Sequence, residues 1–273
     1  MNSTDAQYGD FKHLSAVENQ RALLFINGGI LIETISLEAF LPWCLLFEKI
    51  AFHVNQAHLD GQTLMMSGHT ALSEGQLALL GYQILPIRAF LNQSVTQLQN
   101  KIMRAYHWLN WDSHSRFCGK CGSVLISIFD KLEKQCPTCE MTIFPKASPA
   151  VMVLLHRKNE LLLARSPHFQ PGVYSVIAGF VEIGESAEEA AKRETHEELG
   201  LTIGDLRYFA SQTWPFPDSF MMAFTSSDPI GELLIDKIEI EDAKWFNVRN
   251  LPTLPTAGSI SRKLIESTIK EIL

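Results

Sequence analysis

The sequence predicts an α+β chain whose main body is an α/β/α sandwich around a mixed sheet, preceded by a small four-cysteine ribbon and an N-terminal α/β region. Three observations predict it: an acidic, alanine-rich helical segment ending at Gly200, a second helical segment from Ser259 to Ile272, and short apolar runs of strand character around both. Helices of this kind bury one stripe each against a sheet, which leads to a layered arrangement. Two CxxC pairs stand ahead of that body. The expected divisions are 1–112, 113–145 and 146–273.

In the N-terminal region, Leu23-Leu24-Phe25-Ile26 and Ile30-Leu31-Ile32 flank Asn27-Gly28-Gly29, which reads as two strands joined by a hairpin turn. Ser94 to Trp108 has helical spacing. The longest apolar region, Ala39 to Val54, is broken by Pro42, Glu48 and Lys49, so no segment reaches membrane-spanning length. Cys44, within it, reads as a buried hydrophobe.

Cys118-Gly-Lys-Cys121 and Cys136-Pro-Thr-Cys139 are separated by 14 residues. Four thiolates at this spacing read as a closed tetrahedral Zn²⁺ site with a structural role, because no coordination position is left for water. Disulfides are the competing reading for a secreted protein, but no signal peptide is read at the N-terminus. Val124 to Phe129 is expected as a strand and Asp130-Lys131 as a turn, giving a β unit too thin to fold without metal.

Pro145 and Pro149 bracket an expected linker into a strand, Val151 to His156. A hairpin through Lys158-Asn159 leads to Leu161 to Ala164. Tyr174 to Ala178 reads as the next strand, and Gly179 to Gly184 as the loop into the acidic helix. Ser186 with Glu189 makes a capping box, Ala187, Ala190 and Ala191 favour helix, and Gly200 suits the position past its end. On that helix, Glu194, Glu197 and Glu198 fall at i, i+3 and i+4, one face. Such clustered negative charge calls for a counterion, and a hard cation such as Mg²⁺ or Mn²⁺ supplies it. The bland alternative is an acidic helix face turned to solvent.

With Gly179, Glu185, Arg193, Glu194, Glu197, Glu198, Gly200 and Leu201 in place over 23 residues, the segment resembles the Nudix box. Thr195 stands where the family carries a bulky aliphatic residue. Downstream, Ser211-Gln-Thr-Trp-Pro-Phe-Pro-Asp-Ser219 packs two prolines between aromatics. It reads as a stiff loop, excluded from a central strand, that presents Trp214 and Phe216. Flat rings held this way suit stacking on a purine or pyridine; a hydrophobic plug at a domain edge or dimer interface is an equal reading. The loop resembles the SQPWPFPxS array of the NADH pyrophosphatase family, with Thr213 for the usual proline, and a central zinc ribbon agrees with that family.

The resemblance implies hydrolysis of the pyrophosphate of NAD(H) to AMP and nicotinamide mononucleotide, and removal of NAD caps from RNA 5′ ends. It implies catalytic roles for Glu194, Glu197, Glu198 and Arg193, and a Mg²⁺ or Mn²⁺ site formed by these glutamates with the Ala178 carbonyl and Glu239. Glu241 is the rival to Glu239. Arg193 is expected to grip a carboxylate bidentately, with Glu185 as that partner or an outer ligand. Substrate contacts are implied at Gln212, Thr213, Trp214, Pro215, Phe216, Pro217, Asp218 and Ser219, at Phe144 where relatives have tyrosine, at Ser261, and at Arg88. His156, His168 and His196 are left out as bases. A homodimer is also implied.

The chain has 273 residues, 46% of them hydrophobic, and a formal net charge of -7. That charge argues against broad electrostatic binding to nucleic acid. A soluble, cytoplasmic enzyme is expected. Alternatives are a Nudix hydrolase of ADP-ribose, FAD or a dinucleoside polyphosphate, or a zinc-ribbon nucleic-acid-binding protein.

Overall fold

The computed structural model describes residues 21–42, 49–50, 52–60, 63–93, 96–128 and 131–273. Cys44 and Asp130 lie outside the described residues. Two compact units are present, Met1–Lys146 and Ala147–Leu273.

In the first unit, β1 (Arg21–Ile26) and β2 (Gly29–Glu33) pair antiparallel about the two-residue turn Asn27-Gly28. Both turn residues have positive φ, 50° and 76°, as a tight hairpin matching strand twist requires. With β3 (Phe40–Pro42), β4 (Phe52–Asp60), β5 (Thr63–Thr70) and β6 (Tyr82–Pro86) they form a sheet of order β4-β5-β1-β2-β6, β3 pairing with β1. Three helices are described with it, α1 (Glu74–Leu79), α2 (Ile87–Gln93) and α3 (Thr96–His114). Alternate residues Ala22, Leu24 and Ile26 of β1 are fully buried in one core cluster with Leu31, Leu64 and Met66.

Helix α3 runs past the expected division at 112, for a reason visible at Asp112. This buried carboxylate takes Lys134 Nζ at 2.7 Å and Ser127 Oγ at 3.1 Å, with His58 Nε2 at 3.4 Å. Lys134 also donates to the backbone oxygens of Asp112 and Ser115, both at 2.7 Å. Burial alone would raise the Asp112 carboxyl; the hydrogen bonds from His58 and Lys134 outweigh it and hold the group well below the usual carboxylate range. One buried cluster thus joins α3, β4 and the ribbon.

The ribbon itself is three two-residue strands, β7 (Ile126–Ser127), β8 (Lys134–Gln135) and β9 (Thr142–Ile143), paired antiparallel. The strand expected over Val124 to Phe129 is shorter because its apolar side chains have almost no core to enter: Val124 and Ile126 are 41% and 55% exposed, and the small buried cluster is Cys118, Leu125 and Cys136.

In the second unit, β10 (Ser148–Arg157), β11 (Glu160–Arg165), β12 (Ile177–Phe180), β13 (Arg207–Trp214), β14 (Ser219–Ser227) and β15 (Asp242–Asn247) form a mixed sheet of order β13-β14-β10-β11-β15. β10 runs parallel to β14 along one edge. On its other edge it pairs with β12 over Ala150–Val153 and with β11 over Leu155–Arg157, so the sheet splits there. Side chains alternate across a strand. Accordingly Val151, Val153 and Leu155 pack with Ala190, Ala191 and Leu199 of α4 (Ala187–Leu199), while Ala150 and Leu154 pack with Ile260, Leu264 and Ile265 of α5 (Ile260–Ile272). Each fully buried Leu or Ile contributes roughly 1.5–3 kcal/mol. This is the expected α/β/α sandwich.

Three sequence expectations need correction here. The strand read over Tyr174 to Ala178 lies at Ile177–Phe180, set by pairing with β10 rather than by local propensity. The stiff loop from Ser211 to Ser219 is half strand: Ser211–Trp214 ends β13 at the sheet edge, and Pro215–Asp218 form the turn. The linker expected up to Pro149 ends earlier, since Ser148 and Pro149 already pair with β14.

Candidate functional site

Helix α4 is built as its sequence indicates. Ser186 Oγ accepts from Glu189 N, Glu189 closes the capping box, and Gly200 ends the helix at φ 70°, where a side chain would be strained. Thr195, the departure from the box, is fully buried, and its hydroxyl donates to Ala191 O at 2.7 Å, so no polar atom is orphaned.

The acidic face turns toward β12. Glu194 lies over the backbone of Gly179 so closely that a Cβ there would sit 1.9 Å from its carboxyl carbon. No residue but glycine leaves room for that carboxylate. Arg193 organises the set: Nε and Nη2 grip both oxygens of Glu185 at 2.6 and 2.9 Å, and Nη1 reaches Glu194 at 2.8 Å and Glu197 at 2.9 Å. Nη2 also donates to Phe180 O at 2.9 Å. Glu185 is therefore the bidentate partner of Arg193, which holds its carboxyl down at about 2, helped by the Glu182 amide.

Glu198 differs from its neighbours. It is 5% exposed, and Oε2 has no hydrogen-bond partner. Burial, then repulsion from Glu194, Glu239 and Asp236, pushes its carboxyl up to about 8. Glu194 is raised mainly by burial despite Arg193. Glu197 has 58% of its side chain exposed.

A cleft of about 340 Å³ opens beside Glu198, lined by Ala178, Ile177 and Val176, by Ser166 to Phe169, and by Ile238 to Ile240. Glu239 lines it on a turn made by Asp236, whose carboxylate accepts from Ile238 N at 2.9 Å and whose own amide donates to Glu198 O at 3.0 Å. The rival Glu241 is engaged elsewhere, paired with Arg165 Nε at 3.0 Å.

The substrate-contact candidates are dispersed. Gln212 donates to Gly258 O at 2.9 Å and accepts from Ile260 N at 2.8 Å, so its amide caps α5. Ser261 is buried, its hydroxyl 3.0 Å from that of Ser259. Trp214 packs partly on the α5 cluster and meets Phe216 edge-on, ring centres 5.3 Å apart. Thr213 pairs with Phe220 in the ladder, Pro215 and Ser219 are buried, Pro217 is exposed, and Asp218 O accepts from Ser148 N at 2.8 Å. Phe144 and Arg88 belong to the first unit, both exposed, Arg88 on α2. Two residues escaped the sequence reading. Phe180, next to Gly179, exposes 53% of its surface beside Arg193, a position that an aromatic at the box's second residue signals only once the strand is placed. Arg165 had no sequence signal.

The four cysteines converge. Sγ of Cys118 is 3.6 Å from that of Cys139, and Cys121 is 3.4 Å from Cys136. Among the described residues they are the only set of three or more His, Cys, Asp or Glu whose ligand atoms all lie within 4.8 Å of one another. Such a cluster can hold a metal ion. The box glutamates do not meet that criterion.

Sheet, capped acidic helix and glycine-cradled glutamates define a Nudix domain, and the NUDIX domain family model matches residues 146–267. The chain is 47% identical over 189 residues to the NAD-capped RNA hydrolase NudC of Chromobacterium violaceum, covering 69% of this chain and 71% of that one. To the NudC of Stutzerimonas stutzeri it is 46% identical over 180 residues (66% and 65% of the two chains), and to that of Pseudomonas aeruginosa 47% over 156 residues (57% and 56%). The matched stretch thus falls short of two thirds of the length of these last two. The chain belongs to the NudC family of Nudix hydrolases. A solved Nudix hydrolase from Nitrosomonas europaea overlaps 57% of this chain and 90% of its own at 23% identity and TM-score 0.44. No described helix is long and apolar enough to cross a membrane.

Proposed function

We propose that this chain hydrolyses the pyrophosphate of NAD(H) to AMP and nicotinamide mononucleotide, with the NAD cap of RNA 5′ ends as a further substrate. The observation that carries the reading is the orphaned Oε2 of Glu198, buried beside Ala178 between Glu194 and Glu239. A buried carboxylate oxygen with no donor, repelled by two neighbours, is a group that a cation would stabilise. Glu194, Glu197, Glu198 and Glu239, with the Ala178 carbonyl, fit Mg²⁺ or Mn²⁺ by donor type: hard oxygens only. When bound, such ions neutralise the diphosphate and acidify a water.

The chain's own residues do the rest. Arg193, held by Glu185, fixes the rotamers of Glu194 and Glu197. Gly179 admits the Glu194 carboxylate. Glu198, buried at the inner end of the acidic face, places its carboxylate beside the Ala178 carbonyl, where the diphosphate would be held. Trp214 and Phe216, with Gln212, Thr213, Pro215, Pro217, Asp218 and Ser219, shape the hairpin that orients the dinucleotide. Phe144, Arg88 and Ser261 are carried as further contacts from the family resemblance. Cys118, Cys121, Cys136 and Cys139 fit Zn²⁺, since four sulfurs about 2.3 Å from a tetrahedral zinc lie about 3.8 Å apart. The homodimer and the cytoplasmic setting stand as part of the same reading.

The test incubates purified protein with Mg²⁺ or Mn²⁺ and NADH, NAD⁺, ADP-ribose, FAD or NAD-capped RNA in ¹⁸O-labelled water, with products read by mass spectrometry. The expected products are AMP and the nicotinamide mononucleotide, or 5′-monophosphate RNA, each set carrying one label. Turnover of ADP-ribose or FAD with NADH untouched would overturn the substrate assignment.

A further inference from the structure

The side chain of Arg165 ties together both walls of the cleft. At 11% side-chain exposure, its Nε pairs with Glu241 at 3.0 Å, while Nη2 and Nη1 donate to the successive carbonyls of Phe169 and Gln170, at 3.1 and 2.5 Å. Its own carbonyl accepts from Glu241 N at 2.8 Å. The planar guanidinium therefore fixes the Ser166–Gln170 loop against the segment that carries Glu239, a geometry lysine cannot reproduce.

The loop so fixed presents apolar surface to a polar site. Phe169 is 39% exposed and lines the cleft, and Ile238, 87% exposed, lines the opposite wall. Register separates this wall from the Trp214 hairpin. Trp214 pairs with Ser219, β14 with β10, and β10 with β12, so the hairpin lies three strand spacings, roughly 14 Å, to one side of β12. The cleft opens on the other side, in the split between β12 and β11. A volume near 340 Å³ stands at the small end of ligand pockets, which run about 300–1,000 Å³, so it takes a ring and its sugar rather than a whole dinucleotide.

Resting on the dinucleotide reading above, we propose that the Ser166–Gln170 wall is a ring-binding subsite for one mononucleotide half of the substrate, with Phe169 as its stacking face and Arg165 as its positioning residue. The diphosphate then lies at Ala178 and Glu198, one ring entering the cleft and the other extending toward the hairpin.

The experiment titrates full-length wild type, F169A, F169Y and R165K with AMP and with nicotinamide mononucleotide in Mg²⁺ by calorimetry, and measures kcat and KM for NADH. Loss of one stacked ring weakens binding by about 5- to 150-fold. F169A is expected to lose that much affinity for one mononucleotide only, with a matching rise in KM. F169Y keeps the ring and recovers to within about twofold, and R165K weakens the same mononucleotide as F169A. Unchanged or equally weakened binding of both mononucleotides in F169A, or failure of the wild type to bind either, overturns the subsite. Intact mononucleotide binding without NADH turnover overturns the activity and not the subsite.

Discussion

Gly179→Ala isolates the cradle beneath Glu194. The added Cβ would lie 1.9 Å from the Glu194 carboxyl carbon and 2.0 and 2.3 Å from its oxygens. To reach an ordinary separation of about 3.5 Å the carboxylate must retreat by roughly 1.6 Å. That displacement breaks its 2.8 Å bond from Arg193 and moves a proposed metal ligand off position. Misplaced ligand shells cost about 10- to 100-fold, so kcat/KM is expected to fall by that factor, equivalent to roughly 1.4–2.7 kcal/mol. Gly179 has no positive φ, so alanine is compatible with its backbone and the strand persists. The decisive assay is a double-mutant cycle, with kcat/KM for NADH measured for wild type, G179A, E194A and the pair. If the methyl acts only through Glu194, G179A costs less than about twofold in the E194A background. A further tenfold loss there would refute the reasoning.

Two other outcomes follow from buried charge. Glu198 has its folded pKa raised to about 8, so the native state binds a proton that the unfolded chain has released. Metal-free protein should therefore lose stability as pH rises from the ordinary carboxylate range toward 8, by up to about 1.4 kcal/mol per pH unit. Urea melts at stepped pH should show that slope in wild type and not in E198Q, and Mg²⁺ should flatten it; an identical slope in E198Q would remove Glu198 as its source. In the first unit, D112A leaves Lys134 buried with its carboxylate partner gone, at a cost of about 3–5 kcal/mol, while D112A/K134M recovers much of it. Denaturation read at the tryptophans measures both, and an unaltered D112A midpoint would show the cluster to be inert.

What the sequence made legible is what local chemistry determines. The capping box, the alanines, the i, i+3, i+4 glutamates and the terminal Gly200 all act within one helix, and α4 appears where they place it. The Asn27-Gly28 turn and the two CxxC knuckles are equally local. The misreadings arose where distant strands decide. β12 is displaced from Tyr174–Ala178 because β10 pairs with Ala178, Gly179 and Phe180. Prolines 215 and 217 lie just past the last ladder pair, Trp214 with Ser219, in the turn of an edge strand, as their exclusion from a central strand requires; the strand before them is set by pairing with β14. Glu239 and Glu241 were indistinguishable by spacing; Arg165, 74 residues and more away in sequence, separates their roles. Thr195, where the family carries a bulky aliphatic residue, is accommodated by donating to the Ala191 carbonyl one turn back in the helix.

Gln212 has a wider reach than its own hairpin. By spending both ends of its amide on Gly258 and Ile260, it makes the start of the last helix a hinge pin for the aromatic turn that begins three residues later. Loosening that pin, as Q212A would, frees the turn and the start of the helix together, so alterations near the carboxyl end of the chain reach the aromatic turn without touching a single acidic side chain.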